Sequence, residues 1–238
     1  MRAGDNEIVF RTTRGSWLLF VALRLETPPG ARLAPTARTV VRSVRTAPYA
    51  LSDRARVLFD FLLPGEHEMR VLGAKVRRTG PAEFEGVIQT DFPTVCGDGA
   101  DQRFDFHFVV QFSKPYDTLG GWQGERVISE AKELDLAGDC GAFVEFTTGA
   151  GEQVLVRTGI SLVSDANARL NLQQELSGPF GWDFAAVVRN QRTAWNELLA
   201  RVEIGSPDAR AKTRFDAILY RALAGRNTWS DVNGEWVD

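Results

Sequence analysis

The sequence has little of the chemistry that usually announces a function. Among 238 residues there are two cysteines, Cys96 and Cys140, and two histidines, His67 and His107. Neither pair has metal-ligand spacing, which argues against a structural zinc site. The cysteine count is compatible with a Cys96–Cys140 disulfide in an oxidising compartment and equally with two buried thiols. No apolar run reaches the roughly 18–20 residues that cross a bilayer. The best candidate, Trp17–Leu25, is interrupted by Arg24. It also starts late and has no small-residue cleavage site behind it, so it does not read as a signal peptide. A net charge of −3 leaves no concentrated basic surface for nucleic acid or an anionic membrane. A Gly-x-Ser-x-Gly elbow, a phosphate loop and a His-Glu-x-x-His pair are all missing.

What is present is material for one large or two modest domains, unevenly charged. Residues 1–56 carry ten Lys and Arg against four Asp and Glu, and residues 57–238 carry 18 against 27. The basic first quarter reads as solvated strand faces or a mobile arm. From about residue 56 to 163 short runs alternate apolar and polar side chains, the pattern of an antiparallel β-domain. Arg56–Phe61, Glu68–Arg77, Glu83–Gln89, Phe104–Phe112, Glu125–Leu134, Ala142–Thr147 and Gln153–Ile160 read as strands. In Phe104–Phe112 the residues Phe104, Phe106, Phe108, Val110 and Phe112 point one way, predicting one core face and one wet face. Turns are expected at Leu63-Pro64-Gly65, Thr79-Gly80-Pro81, Cys96-Gly97-Asp98-Gly99, Gly120-Gly121 and Gly149-Ala150-Gly151. Close strand spacing without helical pattern between favours a sandwich. Residues 7–45 hold further strand-like runs, Ser16–Leu25 and Thr36–Val44, broken by prolines.

After residue 163 the period changes to helical. Ser164 is a good N-cap for a helix over Asp165–Leu176. A Gly-Pro-Phe-Gly break follows, then helical spacing over Trp182–Val202 and Asp208–Ala224. Trp182 and Trp195 lie on the apolar stripe and are assigned to an interdomain core. The last helix carries Phe215, Ile218, Leu219 and Leu223 on one face, and the stripe continues into Trp229. The fold class is therefore mainly β: an antiparallel sandwich followed by a short helical segment.

A series of landmarks then falls into order: Phe108–Pro115 (FVVQFSKP) with Gly121-Trp122, Val154–Asn167 (VLVRTGISLVSDAN), Trp182-Asp183-Phe184 with Ala194-Trp195-Asn196, and Phe215–Asn233 (FDAILYRALAGRNTWSDVN). Over about residues 56–238 this series resembles glycoside hydrolase family 92. Residues 1–50 match nothing in it, and the Gly-rich opening usual in the family is absent. The resemblance implies a calcium-dependent, inverting exo-α-mannosidase built from an N-terminal sandwich and an (α/α)6 barrel. By that resemblance residues 1–163 form the sandwich domain, with 1–55 unplaced, 164–206 a helical linker, and 207–238 the first helix and loop of the barrel.

Inversion needs a general acid and a general base about 6.5–9.5 Å apart on one scaffold. The resemblance places both beyond Asp238, so no catalytic residue is assigned here. This stretch is expected to be a non-catalytic part that packs against the barrel, contributes to glycan binding and is inactive alone. Calcium is implied for the complete enzyme and no metal is expected in this stretch. The implied partners are a mannose-containing glycan and the C-terminal catalytic barrel, with neither nucleic acid nor membrane. The implied location of the parent enzyme is extracellular or periplasmic. Asp231 and Asn233, within Ser230–Gly234, resemble a family motif bordering the sugar site, where an Asp accepts hydrogen bonds from vicinal mannose hydroxyls; an exposed turn is the bland alternative. Trp122 is a candidate to stack on a sugar ring or to plug the sandwich edge. The competing functional reading is a free-standing carbohydrate-binding or adhesion module, and a third is a purely structural domain.

Overall fold

The computed structural model describes residues 54–61, 70–92, 102–149, 152–224 and 230–237. The strand-like runs before residue 46, the turns at 63–65 and 96–99, His67, Cys96 and Trp229 lie outside the described residues.

Among the described residues, nine strands form two antiparallel sheets. One has the order β1 (Arg54–Asp60), β8 (Cys140–Thr147), β5 (Thr118–Gln123), β6 (Arg126–Ile128). The other runs β7 (Glu133–Ala137), β2 (Arg70–Gly80), β3 (Glu83–Phe92), β4 (Gln102–Phe112), β9 (Val156–Ser161). Their inner faces meet in a core of alternate residues, among them Val57, Val76, Phe84, Phe108, Phe112, Leu134 and Phe146. Phe59, Phe84, Phe112, Tyr116 and Phe146 pack edge to face at centroid separations of 5.1 to 6.5 Å, the geometry that aligns ring edges with ring faces. Cys140 is a free thiol in this core. Burial first, then Asp139 and Asp60, pushes it up to about 11.

Two sequence expectations are corrected here. Gly120 and Gly121 are not a turn but lie inside β5. A Cβ at Gly120 would stand 2.3 Å from the Phe143 ring, and one at Gly121 2.9 Å from Leu134; these glycines mark close approach of neighbours rather than a reversal. The expected strand Glu125–Leu134 is instead β6 and β7, which belong to different sheets, because a turn at Gly124 (φ 55°) folds β6 back on β5 before the chain crosses over.

The face of β4 expected to be wet is covered in part, with Asp105 left exposed. Val109 is fully buried under α1 (Asp165–Leu172), in a second small core with Ala168, Leu172, Leu176 and Val187. The expected cap is present: the Ser164 hydroxyl accepts the Asn167 N–H at 3.1 Å. Helix α1 continues through one π-helical turn, Gln173–Ser177, into a short helix α2 (Gly178–Phe180). Helices α3 (Phe184–Leu199) and α4 (Ala209–Ala224) follow.

Helix α1 lies unusually close to β9 because residue 159 is glycine: a Cβ there would sit 2.1 Å from the Ala168 carbonyl oxygen and 2.6 Å from Leu172 Cβ. An ion-pair clamp fixes its other side. Arg169 reaches Glu83 at 2.8 Å and Glu85 at 2.7 Å, and Glu85, 6% exposed, also pairs with Arg77. Burial raises the Glu83 acid, but hydrogen bonds from Thr79, Gln111 and Arg169 outweigh it and hold the carboxyl below its ordinary value.

The outer helices are barely embedded. Val187 is the one buried residue of α3, and α4 has none. They touch through Trp195 and Tyr220, with ring centroids 4.5 Å apart. Ile218 is 67% exposed. Trp182, assigned above to an interdomain core, is 36% exposed, with the Arg157 guanidinium 4.0 Å over its ring; the cation supplies the cover that a core would have.

Gly159→Ala is expected to force α1 off the sheet and destabilise the chain by about 1–3 kcal/mol. Gly205→Ala, where an added Cβ meets nothing within 4 Å, is expected to change stability by less than about 0.5 kcal/mol. Urea unfolding of both variants, followed by tryptophan fluorescence, checks this.

Candidate functional site

The polar residues of α1 converge on the turn 230–237. Asn167 and Asn171, one helical turn apart, both face inward and are buried. Ser161, the last residue of β9, is 5% exposed and lies beside them. All three donate to Asp231: Ser161 Oγ to Oδ2 at 2.6 Å, Asn167 Nδ2 to Oδ2 at 2.8 Å, and Asn171 Nδ2 to Oδ1 at 2.6 Å. Asn167 also donates to Glu235 Oε2 at 2.7 Å, and Asn171 Oδ1 accepts the Val232 N–H at 3.0 Å. The turn closes on itself: Gly234 N–H donates to the Asp231 carbonyl at 2.9 Å, and Asp231 N–H to the Glu235 carbonyl at 2.8 Å. Gly234 has φ 84°, a conformation that needs glycine.

A carboxylate offers about four acceptor positions. With three protein donors in place, Asp231 is a fixed anion that keeps roughly one position, on Oδ1, for an outside donor. Asn233 is exposed, and its side-chain oxygen accepts the Glu235 N–H at 3.0 Å, leaving its amide nitrogen for solvent or ligand. Trp122 is elsewhere. It stands on the outer face of the other sheet, lying over Gly141, where a Cβ would be 2.1 Å from its ring. The structure thus brings Asp231 and Asn233 together and sets Trp122 on the opposite face of the sandwich.

The sequence reading missed Ser161, Asn167, Asn171 and Glu175. The signal was available as asparagines at i and i+4 in Asp165–Leu172, on a face where a packed helix should be apolar. Glu175 extends that stripe into the π-helical turn, a departure from α-geometry frequent at functional sites. Partial packing around its carboxyl first, and then the negative charge of Asp231, push the Glu175 acid up; the residue as a whole is exposed, so water screens both effects. Nearby, His107 Nδ1 lies 2.7 Å from Asp165 Oδ1; His107 is the β4 residue paired with Ser161 of β9.

A calcium ion takes six to eight oxygen ligands. Among the described residues no group of three or more His, Cys, Asp or Glu converges to hold a metal. They do not by themselves fit the ion that the family resemblance implies.

Comparison with known families decides the relationship. Residues 22–161 match the glycosyl hydrolase family 92 N-terminal domain, and residues 167–238 match the glycosyl hydrolase family 92 catalytic domain. The chain belongs to glycosyl hydrolase family 92. The N-terminal match begins at residue 22, which corrects the reading that residues 1–50 match nothing in the family. Solved family 92 structures share the fold. The α-mannosidase BT3965 from Bacteroides thetaiotaomicron superposes with a TM-score of 0.63 at 22% identity, over 79% of this chain and 24% of that one. The inverting mannosidase BT2199 from Bacteroides thetaiotaomicron VPI-5482 gives 0.59 at 23% identity, over 75% and 22%. The family 92 hydrolase ccman5 gives 0.61 at 20% identity, over 76% and 23%. The chain therefore spans about a quarter of the length of these relatives. BT3965 has also been solved with mannoimidazole. A comparison with curated protein sequences gives no match.

Because the Glu175 acid is raised in the folded chain, folding binds an extra proton between the unfolded and folded values, and this contribution falls as pH rises through that window. The window opens upward from 4.5. Glu175→Gln is therefore expected to raise the melting temperature at pH 7 and to lose that advantage below about pH 4, measured by calorimetry across the range.

Proposed function

We propose that this chain is the N-terminal, non-catalytic portion of an inverting exo-α-mannosidase. Residues 1–163 form the sandwich domain, 164–206 a helical linker, and 207–238 the first helix and loop of an α/α barrel. The portion packs against the catalytic barrel and contributes to binding a mannose-containing glycan; alone it is inactive. Calcium belongs to this reading as the cofactor of the complete enzyme, and the parent enzyme works outside the cell or in the periplasm. No helix among the described residues is long and apolar enough to cross a membrane.

The observation that carries the reading is Asp231, an anion held rigid by three neutral donors at the edge of a solvent-facing turn. A carboxylate pre-set in this way accepts from a neutral polyol without having to be ordered on binding. Its remaining Oδ1 position suits one sugar hydroxyl, and the Asn233 amide a neighbouring one. Trp122, over Gly141 on the far face, would serve a separate sugar unit. The exposed apolar side of α3 and α4 supports packing against a barrel, and the catalytic-domain match over 167–238 supports this reading over a free-standing module.

Titrating the labelled chain with methyl α-D-mannopyranoside is expected to shift the amide signals of residues 230–236, and Asp231→Ala is expected to weaken that response at least about tenfold, the loss of one hydrogen bond to a charged group. An Asp231→Ala chain that binds like the parent refutes the assignment. The chain is also expected to bind the hydrophobic dye ANS through its uncovered helices, since contiguous apolar surface above a few hundred Å2 marks an interface. Ile218→Glu is expected to cut the dye fluorescence, while Val127→Glu, on the sandwich strand β6, leaves it unchanged.

A further inference from the structure

We infer that the end of β9 positions Asp231, directly through Ser161 and indirectly through Asn171, so that the sandwich domain sets where the sugar-contacting carboxylate stands. The inference rests on the reading of Asp231 given above and adds to it the residues that place the carboxylate.

The orientation of each tether is dictated by backbone. The Ser161 hydroxyl accepts N–H groups from Val163 at 2.9 Å and Ser164 at 3.3 Å. A hydroxyl has two acceptor positions and one proton to give, so that proton is left for Asp231 Oδ2. Asn171 is equally constrained. Its Nδ2 donates to the Ile160 carbonyl at 2.8 Å, which only the nitrogen end of the amide can do, and its second N–H then points at Asp231 Oδ1. Its oxygen, on the opposite side, receives the Val232 N–H. Two consecutive β9 residues thus control both carboxylate oxygens of a residue 70 positions away.

Among the described residues, the side-chain hydrogen bonds that tie the turn 230–237 to other elements all run to β9 and α1. Helix α4, which precedes the turn in sequence, has no buried residue that anchors it. Ser161 ends the N-terminal-domain match and Asp231 lies in the catalytic-domain match, so the tether joins the two parts. Ser161 and Asn171 are positioning residues: they hold Asp231 without touching the sugar.

The test uses the full chain with Ser161→Ala, Asn171→Leu and Asp231→Asn. Amide hydrogen exchange at Val232 and Glu235 is expected to speed up about tenfold in Ser161→Ala and more in Asn171→Leu. The Glu175 carboxyl, followed by carbon-detected NMR, serves as a spectroscopic reporter: it is expected to titrate lower in both variants as Asp231 moves away, and lower in Asp231→Asn, where the neighbouring charge is removed. A merely structural role for Ser161 would lower the melting temperature without moving that titration. If Ser161→Ala and Asn171→Leu leave both exchange and the Glu175 titration unchanged while Asp231→Asn moves the titration, the inference is overturned. Should Asn171→Leu fail to fold, Ser161→Ala alone decides by the same two readings. A weaker methyl α-mannoside response in Ser161→Ala at unchanged melting temperature supports the inference. An unchanged mannoside response in Asp231→Asn overturns the sugar reading of Asp231, and the exchange and titration data still decide whether β9 positions it.

Discussion

The helical half of the molecule depends on one contact, the seating of α1 on the outer face of β4 and β9. It requires a missing side chain at Gly159, so that the Ala168 backbone can approach the strand, and a charge clamp in which Arg169 satisfies the poorly exposed Glu83 and Glu85. Removing a partner from such a clamp leaves a charge uncompensated, which costs far more than the pair contributes. Once α1 is seated, its inward face has only two uses. Ala168 and Leu172, with Leu176 of the π-helical turn that continues it, fill the small second core, and Asn167 and Asn171 are carried to the edge where the turn 230–237 docks. The fold and the candidate site share this single helix.

Much of the sandwich was legible because period 2 survives wherever one face is dry. β4 shows it most plainly: Phe108, Val110 and Phe112 enter the core as the alternation requires. What the alternation could not show is that the other face is covered as well, since one valine at position 109 looks the same under a helix as in an ordinary strand. The Gly120-Gly121 pair misled for a related reason. Glycine is placed by what approaches it, and a ring folding over it from the adjacent strand β8, distant in sequence, leaves no local trace.

The site was half legible. Asp231 and Asn233 came from resemblance, but the residues that hold Asp231 sit 60 to 70 positions earlier. Asparagine at i and i+4 is a readable oddity on a packed helix, yet nothing local names its partner. Ser161 is less legible still, since a serine closing a strand is ordinary loop chemistry until a distant turn arrives. Trp122 shows a different limit, since its place relative to Asp231 could not be read locally. An aromatic after a long strand suggests a ligand platform, and here the indole spreads over Gly141 on the sheet opposite Asp231.

The order of strands has its own consequence for how the chain is made. β1 pairs along its whole length with β8, Arg54 opposite Thr147 and Asp60 opposite Gly141, while β2, β3 and β4 pair with their immediate neighbours. During synthesis the β2–β4 meander can close soon after it leaves the ribosome, at roughly 5–20 residues per second. Of the described strands β1 emerges first, and it waits several seconds for β8, the strand it pairs with in the folded chain.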